Sequence, residues 1–299
     1  MKSITEEGAE IRLEDLYTEY KDYLVGIAYR VLGTVVDAED IVQDLFLKLS
    51  NHDWDQVANV KSYLVKTTIN RSINLLQSSS WKREQYLGPW LPEPILENME
   101  EQPESSTEKK EQIQYALLVM LQKLSPPERA IYILKESLGY RYSEIASMMS
   151  YTESNCRKIL SRAKQKLDQA RLDEVDGSKE EYEALVHLFI HATRTGNFTS
   201  LVHRLLDEVI LITDGGGKTK AAYKPIYGVN RVMAFLYGVT AKGAFIGDMT
   251  AVSFNGETGI RLTRQGQTIM AISFQFDATH RIKYIYMIMN PDKLRNESK

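Results

Sequence analysis

Tyr142-Ser143-Glu144-Ile145-Ala146-Ser147-Met148-Met149-Ser150-Tyr151-Thr152-Glu153-Ser154-Asn155-Cys156-Arg157-Lys158-Ile159-Leu160-Ser161-Arg162-Ala163 is the stretch whose reading decides the architecture. Its first eight residues make a two-turn helix, and Ser150-Tyr151 is a tight turn. The Thr152 hydroxyl is placed to satisfy early amides of a second helix, which runs to about residue 171. In that helix Cys156, Leu160, Ala163 and Leu167 share one face. Ser154, Lys158, Ser161 and Arg162 fall opposite, with Arg157 at the edge. Residues 153–171 hold six Lys/Arg against two acids. A buried seam with a basic outer face suits a DNA major groove, where phosphates supply affinity and N-terminal side chains read base edges. Charge alone fits a solvated bundle helix better. The short helix, tight turn, cap and basic face together favour DNA. Cys156 reads as a small buried hydrophobe.

Upstream, Ser125-Pro126-Pro127-Glu128 is a helix start with a capping box and prolines in the first turn. Before it, Ile113, Leu117, Met120, Leu121 and Leu124 form an apolar stripe on a helix expected from about Ser105. Residues 12–77 read as three helices. The first carries Leu13, Leu16, Tyr17, Tyr20, Leu24, Ile27, Ala28 and Val31 at helical spacing and stops at Gly33. The second, capped by Asp37, turns Ile41, Val42, Leu45, Phe46 and Leu49 inward and projects Asp40, Gln43, Asp44 and Leu47 outward. A docking surface and a solvated acidic helix explain that outer face equally well. The third spans about Asn59 to Gln77. Residues 78–107 hold four of the eight prolines, so they form a linker. The linker also carries Trp81, Tyr86, Leu87, Trp90, Leu91, Ile95 and Leu96, too apolar for a freely solvated tether, and is expected to dock.

From Lys179 the pattern changes class. One helix (179–195) precedes strands. Asn255-Gly256 signals a type I′ hairpin. Alternation at Met270, Ile272, Phe274 and Phe276, and at Ile282, Tyr284, Tyr286 and Ile288, predicts a curved antiparallel sheet. The expected fold is multidomain: two all-α domains, the second with the helix-turn-helix, then an α+β cone. The expected bounds are 1–77, 78–107, 108–177 and 178–299.

The chain has 299 residues, a formal net charge of -3 and one cysteine, which excludes an internal disulfide framework and a cysteine-based zinc site. No apolar run reaches the length of a membrane span, and residues 1–7 show no signal segment. The expectation is a cytoplasmic protein with no membrane contact and no cofactor. His187 and His191 have a metal pair's i,i+4 spacing but lie opposite the seam of Tyr182, Leu185, Val186 and Phe189, so no metal site is expected. Asp207, Asp214 and Lys218 are the candidates for acid–base chemistry if the C-terminal domain were an enzyme. A non-enzymatic chain is the expectation.

Residues 108–171, with Glu144-Ile145-Ala146 and Arg162-Ala163-Lys164, resemble the promoter-recognition domain of extracytoplasmic-function RNA polymerase sigma factors. Serine replaces the usual glycine at position 150. The resemblance implies that Thr152, Ser154, Asn155, Arg157, Lys158, Ser161 and Arg162 contact the minus-thirty-five element. The segment 37–46 resembles the sigma helix that docks on core polymerase, which makes Asp40, Gln43, Asp44 and Leu47 the docking residues. Lys61, Tyr63, Lys66, Asn70, Arg71 and Asn74 match the minus-ten reader, where relatives often carry charge at Asn74 and Gln77. Residues 179–299 resemble the SnoaL-like (NTF2-like) cone of polyketide cyclases and ketosteroid isomerases. Three motifs resemble those of the sigma subgroup that carries this fusion: Trp90-Leu91-Pro92-Glu93-Pro94, Asp214-Gly215-Gly216-Gly217-Lys218 and Asn290-Pro291-Asp292-Lys293-Leu294.

The resemblance implies core RNA polymerase and promoter DNA as partners, with no separate anti-sigma factor expected and an unknown small ligand left open for the cone. The three motifs are expected to form one regulatory contact. In it Trp90 enters a groove beside Gly215 to Gly217, and Lys218 pairs with Glu93. The rival readings are a one-component helix-turn-helix regulator with a ligand-binding domain, and a cyclase or isomerase fused to DNA-binding helices.

Overall fold

The computed structural model describes residues 13–50, 54, 57–78, 86–97, 113–168 and 179–295. Trp81, Pro103 and the expected helix start at Ser105 lie outside them. The chain forms two compact units, residues 1–81 with 120–170 and residues 82–119 with 171–299.

The first unit is helical. Helices α1 (Leu13–Leu32), α2 (Val35–Leu49) and α3 (Val60–Ser78) bury Leu24, Ile27, Leu45, Leu64 and Ile69 against one another. Gly33, at φ 78°, stops α1 and returns its N–H to the Tyr29 carbonyl. Helix α2 starts two residues before the expected cap. Thr34 is its N-cap and donates its hydroxyl to Asp37, so Asp37 sits inside the first turn, where its charge faces the helix dipole. The Asn59 side chain accepts the Ser62 N–H and caps α3.

Helix α4 (Tyr115–Leu121) contains the division between units. Helix α5 (Pro126–Tyr132) opens on the expected capping box, in which Glu128 accepts both the backbone N–H and the hydroxyl of Ser125. It runs into a π-helical turn, Ile133–Ser137, that the apolar spacing does not reveal. Helices α6 (Tyr142–Met149) and α7 (Glu153–Asp168) follow.

The second unit holds α8 (Lys179–Thr195), α9 (Thr199–Val202), α10 (Val229–Ala241) and a seven-stranded sheet. The strands are β1 (Leu96–Glu97), β2 (Leu205–Asp214), β3 (Ile226–Tyr227), β4 (Asp248–Phe254), β5 (Glu257–Arg264), β6 (Gln267–Phe276) and β7 (Ile282–Ile288), in the order β1-β4-β5-β6-β7-β2-β3. One sheet face and the helices enclose a core that includes Phe189, Phe198, Leu236, Ile260, Ile272 and Ile285. The β4–β5 turn is the expected Asn-Gly hairpin, with φ 51° and 82° at Asn255 and Gly256. Two features differ from expectation. Helix α10 intervenes between strands, and the sheet is mixed, because β2 pairs with β7 in parallel, Asp214 opposite Ile288. Alternation reports which face a residue occupies, not the direction of its neighbour strand.

Candidate functional site

The helix-turn-helix has the predicted geometry. Ser150 adopts the left-handed conformation (φ 56°, ψ 41°) normally left to glycine, and the Tyr151 N–H closes the turn on the Ala146 carbonyl. The Thr152 hydroxyl accepts the Asn155 N–H. On α7, Cys156, Ile159, Leu160, Ala163 and Leu167 are buried. Thr152, Ser154, Arg157, Lys158, Ser161 and Arg162 are exposed, and Asn155 is half-buried. Arg157 pairs with Glu153 at 2.8 Å and lies over the Tyr142 ring, which holds the guanidinium on the outer face. Behind α7, Lys166 pairs at 2.8 Å with Glu128. Burial works against the Glu128 charge, but the bonds from Lys166 and Ser125 outweigh it and lower its pKa.

On α2, Asp40, Gln43 and Asp44 are exposed. Leu47 is 66% exposed, a large apolar side chain left in water beside two acids. Along α3, Lys61 and Asn74 are exposed, while Tyr63, Lys66, Asn70 and Arg71 are half-buried. Lys61 sits over the Tyr23 ring at 4.6 Å, and Tyr63 meets Trp54 edge-on. Asn70 donates to the Met148 carbonyl of α6 at 3.5 Å. Arg129 of α5 is buried and donates to the Val31 carbonyl at the end of α1. The α1–α3 bundle therefore packs in one unit with α5 through Arg129, a residue that no sequence signal singles out, and with the helix-turn-helix through Asn70.

In the second unit the three motifs meet. Parallel β2 and β7 end side by side, so Asp214-Gly215-Gly216-Gly217-Lys218 and Asn290-Pro291-Asp292-Lys293-Leu294 leave the sheet at the same end. Asp214 is fully buried. It accepts the Leu91 N–H at 2.9 Å, the Gly216 N–H at 3.0 Å, the Tyr86 hydroxyl and the Lys293 ammonium at 2.7 Å. Lys293, also buried, donates to the Leu91 carbonyl and lies over the Trp90 ring at 4.1 Å. One buried ion pair thus grips both backbone polar groups of Leu91, whose side chain is 1% exposed.

Asn290, buried, donates to the Tyr86 hydroxyl at 2.8 Å. Burial first, and then the Asp214 carboxylate, push that hydroxyl far above the ordinary tyrosine range. Gly216 sits at φ 59°, and a Cβ there would collide with the Asn290 side chain. Pro291 and Asp292 are exposed around a short 3-10 turn, and Leu294 is buried. Pro92 and Pro94 are buried, the Tyr115 hydroxyl donates to the Pro92 carbonyl at 2.8 Å, and β1 adds antiparallel to the free edge of β4.

Three details differ from expectation. Leu87, not Trp90, packs against the glycine turn at Gly217. Leu91, not Trp90, is the deeply inserted side chain. Lys218 pairs with Asp292, not Glu93. Glu93 is turned inward and buried, whereas Lys218 stands in solvent. Tyr86, Tyr115 and Asn255, absent from the quoted motifs, complete the seat. Asn255 accepts the Ile95 N–H through its side chain and returns its own N–H to the Ile95 carbonyl. Of the acid–base candidates, Asp214 is engaged by Lys293 and Lys218 by Asp292, while Asp207 is exposed. His187 and His191 are both exposed, and the described residues contain no group of three or more metal-ligating side chains. No helix of the described residues is long and apolar enough to cross a membrane.

The comparisons follow this division of the chain. The model of sigma-70 region 2 matches residues 16–82, and that of sigma-70 region 4 matches 114–167. The ECF RNA polymerase sigma factor SigJ of Mycobacterium tuberculosis is 29% identical over 244 residues, 80% of this chain and 77% of that protein. The probable ECF RNA polymerase sigma factor SigI of the same organism is 27% identical over 188 residues, 62% of this chain and 64% of its own. The crystal structure of Mycobacterium tuberculosis SigJ superposes with a TM-score of 0.72 at 23% identity, covering 94% of this chain and 97% of that one, so the fold is shared over both units. With both sigma-70 regions in order, an exposed basic recognition helix and relatives of one kind, the chain is an RNA polymerase sigma factor for promoter recognition, similar to those of the extracytoplasmic-function group.

Proposed function

We propose that this sigma factor is restrained in cis by its C-terminal unit, which acts on the segment joining the two DNA-reading regions. Asp40, Gln43, Asp44 and Leu47 dock on core polymerase, where acids give steering and Leu47 gives apolar area. Lys61, Tyr63, Lys66, Asn70, Arg71 and Asn74 take the minus-ten element. Thr152, Ser154, Asn155, Arg157, Lys158, Ser161 and Arg162 take the minus-thirty-five element. These elements lie about 25 base pairs apart, roughly 85 Å at ~3.4 Å per step. Helices α3 and α6 touch through Asn70 and Met148, so they must separate before both elements are read. Separation needs free length in the chain between residues 78 and 113.

The reading rests on one contact: the buried Asp214–Lys293 pair holding both backbone groups of Leu91. With residues 86–97 seated, less of the connection is free to extend, and the reading regions are held short of promoter spacing. The restraint takes the place of a separate anti-sigma protein, and the unit needs no reaction to impose it. Promoter binding by holoenzyme built with the full chain, compared with Lys293→Met, tests the reading. Release should strengthen binding to a promoter of native spacing. Equal binding would remove the restraint from the account.

A further inference from the structure

The second unit leaves an aromatic, basic surface beside the seated linker, whose Gly88 lies against Tyr223. Ile210 of β2 stands in register with Tyr227 of β3 on one side and with Tyr284 of β7 on the other. Residues paired across neighbouring strands project from the same face, so the three side chains form one row. Tyr284 stacks on Tyr286, with centroids 5.8 Å apart and planes 5° apart. Tyr227 is 57% exposed, and Tyr223, in the loop before β3, is 71% exposed.

That loop is anchored. The Thr213 hydroxyl accepts the Ala222 N–H at 2.8 Å and donates to the Ala222 carbonyl at 3.2 Å, while Lys218 pairs with Asp292. Tyr223 is therefore an aromatic ring held in water on a fixed backbone. Residues 215–227 carry Lys218, Lys220 and Lys224 and no acid. Lys220 and Lys224 are exposed and, among the described residues, have no ion-pair partner. Asp207 and Glu208, exposed at the start of β2, are the acids on these strands without an ion-pair partner among the described residues.

We infer that Tyr223, Tyr227 and Tyr284, flanked by Lys220 and Lys224, form a stacking platform for single-stranded DNA. Flat rings offer faces to unstacked bases, and spaced ammonium groups track a phosphate backbone. A duplex hides its base faces from such a surface. Promoter recognition by a sigma factor supplies the ligand, because melting exposes a single strand. The platform lies outside both sigma-70 regions, so it would be a third DNA contact, independent of the cis restraint.

The test uses the full chain, a labelled oligothymidylate strand of about 20 nucleotides and a duplex of equal length. Because α3 and α7 also meet DNA, a photoreactive thymidine analogue in the strand maps contacts by mass spectrometry. A crosslink within residues 218–227 is expected. Tyr223→Ala with Tyr227→Ala should weaken single-strand binding roughly fivefold or more, with little effect on the duplex. Lys220→Gln with Lys224→Gln should lower the salt slope by about 1.4, at ~0.7 per charge. No crosslink there with unchanged affinities in both variants would overturn the platform. So would a tyrosine variant that loses duplex and single-strand binding equally.

Discussion

Lys293 and Asp214, 79 residues apart in the chain, meet at 2.7 Å with both side chains closed off from solvent. Burying such a pair carries a desolvation cost that good geometry and further hydrogen bonds must offset. Here Asp214 accepts from Tyr86, Leu91 and Gly216, and Lys293 gives a hydrogen to Leu91 and faces two rings. The pair is therefore matched to an occupied seat, and loss of the linker would leave both ions short of partners.

Lys293→Met removes the counter-charge and leaves Asp214 buried, which should cost about 3–5 kcal/mol. Combined with Asp214→Leu, the loss should be smaller than the sum of the single changes. Hydrogen exchange of the Leu91 amide in the full chain reads the effect. Protection that survives Lys293→Met would argue against the grip on Leu91.

Asp40→Lys with Asp44→Lys reverses two exposed charges on α2 without touching its core face. The helix content and melting temperature should stay close to those of the parent, while affinity for core polymerase falls at least tenfold. A folded variant that binds core as tightly as the parent would rule out this face as the dock.

Alanine at Arg157, Lys158 and Arg162 should separate two kinds of contact. Loss of a base-reading arginine costs ~1–3 kcal/mol and relaxes sequence preference, whereas loss of a phosphate contact weakens all sequences alike. Holoenzyme binding to matched and mutated minus-thirty-five sequences measures both. Intact promoter binding by the triple variant would mean that α7 is not the reader.

Glu257 sets a pH dependence. Burial raises its carboxyl from the usual 4.5 to about 7, although the Tyr115 backbone N–H it accepts pulls the other way. Between those values the folded chain holds a proton that the unfolded chain has released. This group therefore favours the fold most below about 4.5, and its contribution falls as pH rises to about 7. Glu257→Gln should gain in melting temperature relative to the parent across that window. A constant difference from pH 4.5 to 7 would contradict the assignment.

Local signals survived into the structure where the chemistry is local. The Thr152 cap, the Ser125–Glu128 box, the Asn255-Gly256 turn and the seam on α7 depend on residues within a turn or two of one another. The joining of three distant motifs was legible only as a resemblance, and its wiring was not. Lys218 and Lys293 each belong to one of those motifs, and their charge is the same. Burial makes Lys293 the partner of Asp214, and burial there follows from the parallel β2–β7 pairing, which alternation cannot disclose. Leu91 and Trp90 are neighbours of similar hydrophobicity, and the backbone bonds to Asp214 and Lys293 determine which one enters. Arg129 joins the two halves of the helical unit by donating to a helix-end carbonyl, a partner that carries no residue identity.

The most direct test of a sigma factor restrained by its own C-terminal unit is transcription in a reconstituted system. Core polymerase is combined with the full chain or with Lys293→Met on a promoter of native spacing, and transcript is measured over a single round. The account predicts specific initiation by the full chain and several-fold more transcript from the variant, with an unchanged start site. Equal yields from a stably folded variant whose Leu91 amide has lost protection would contradict the restraint, and no specific transcript from either protein would contradict the assignment of function itself.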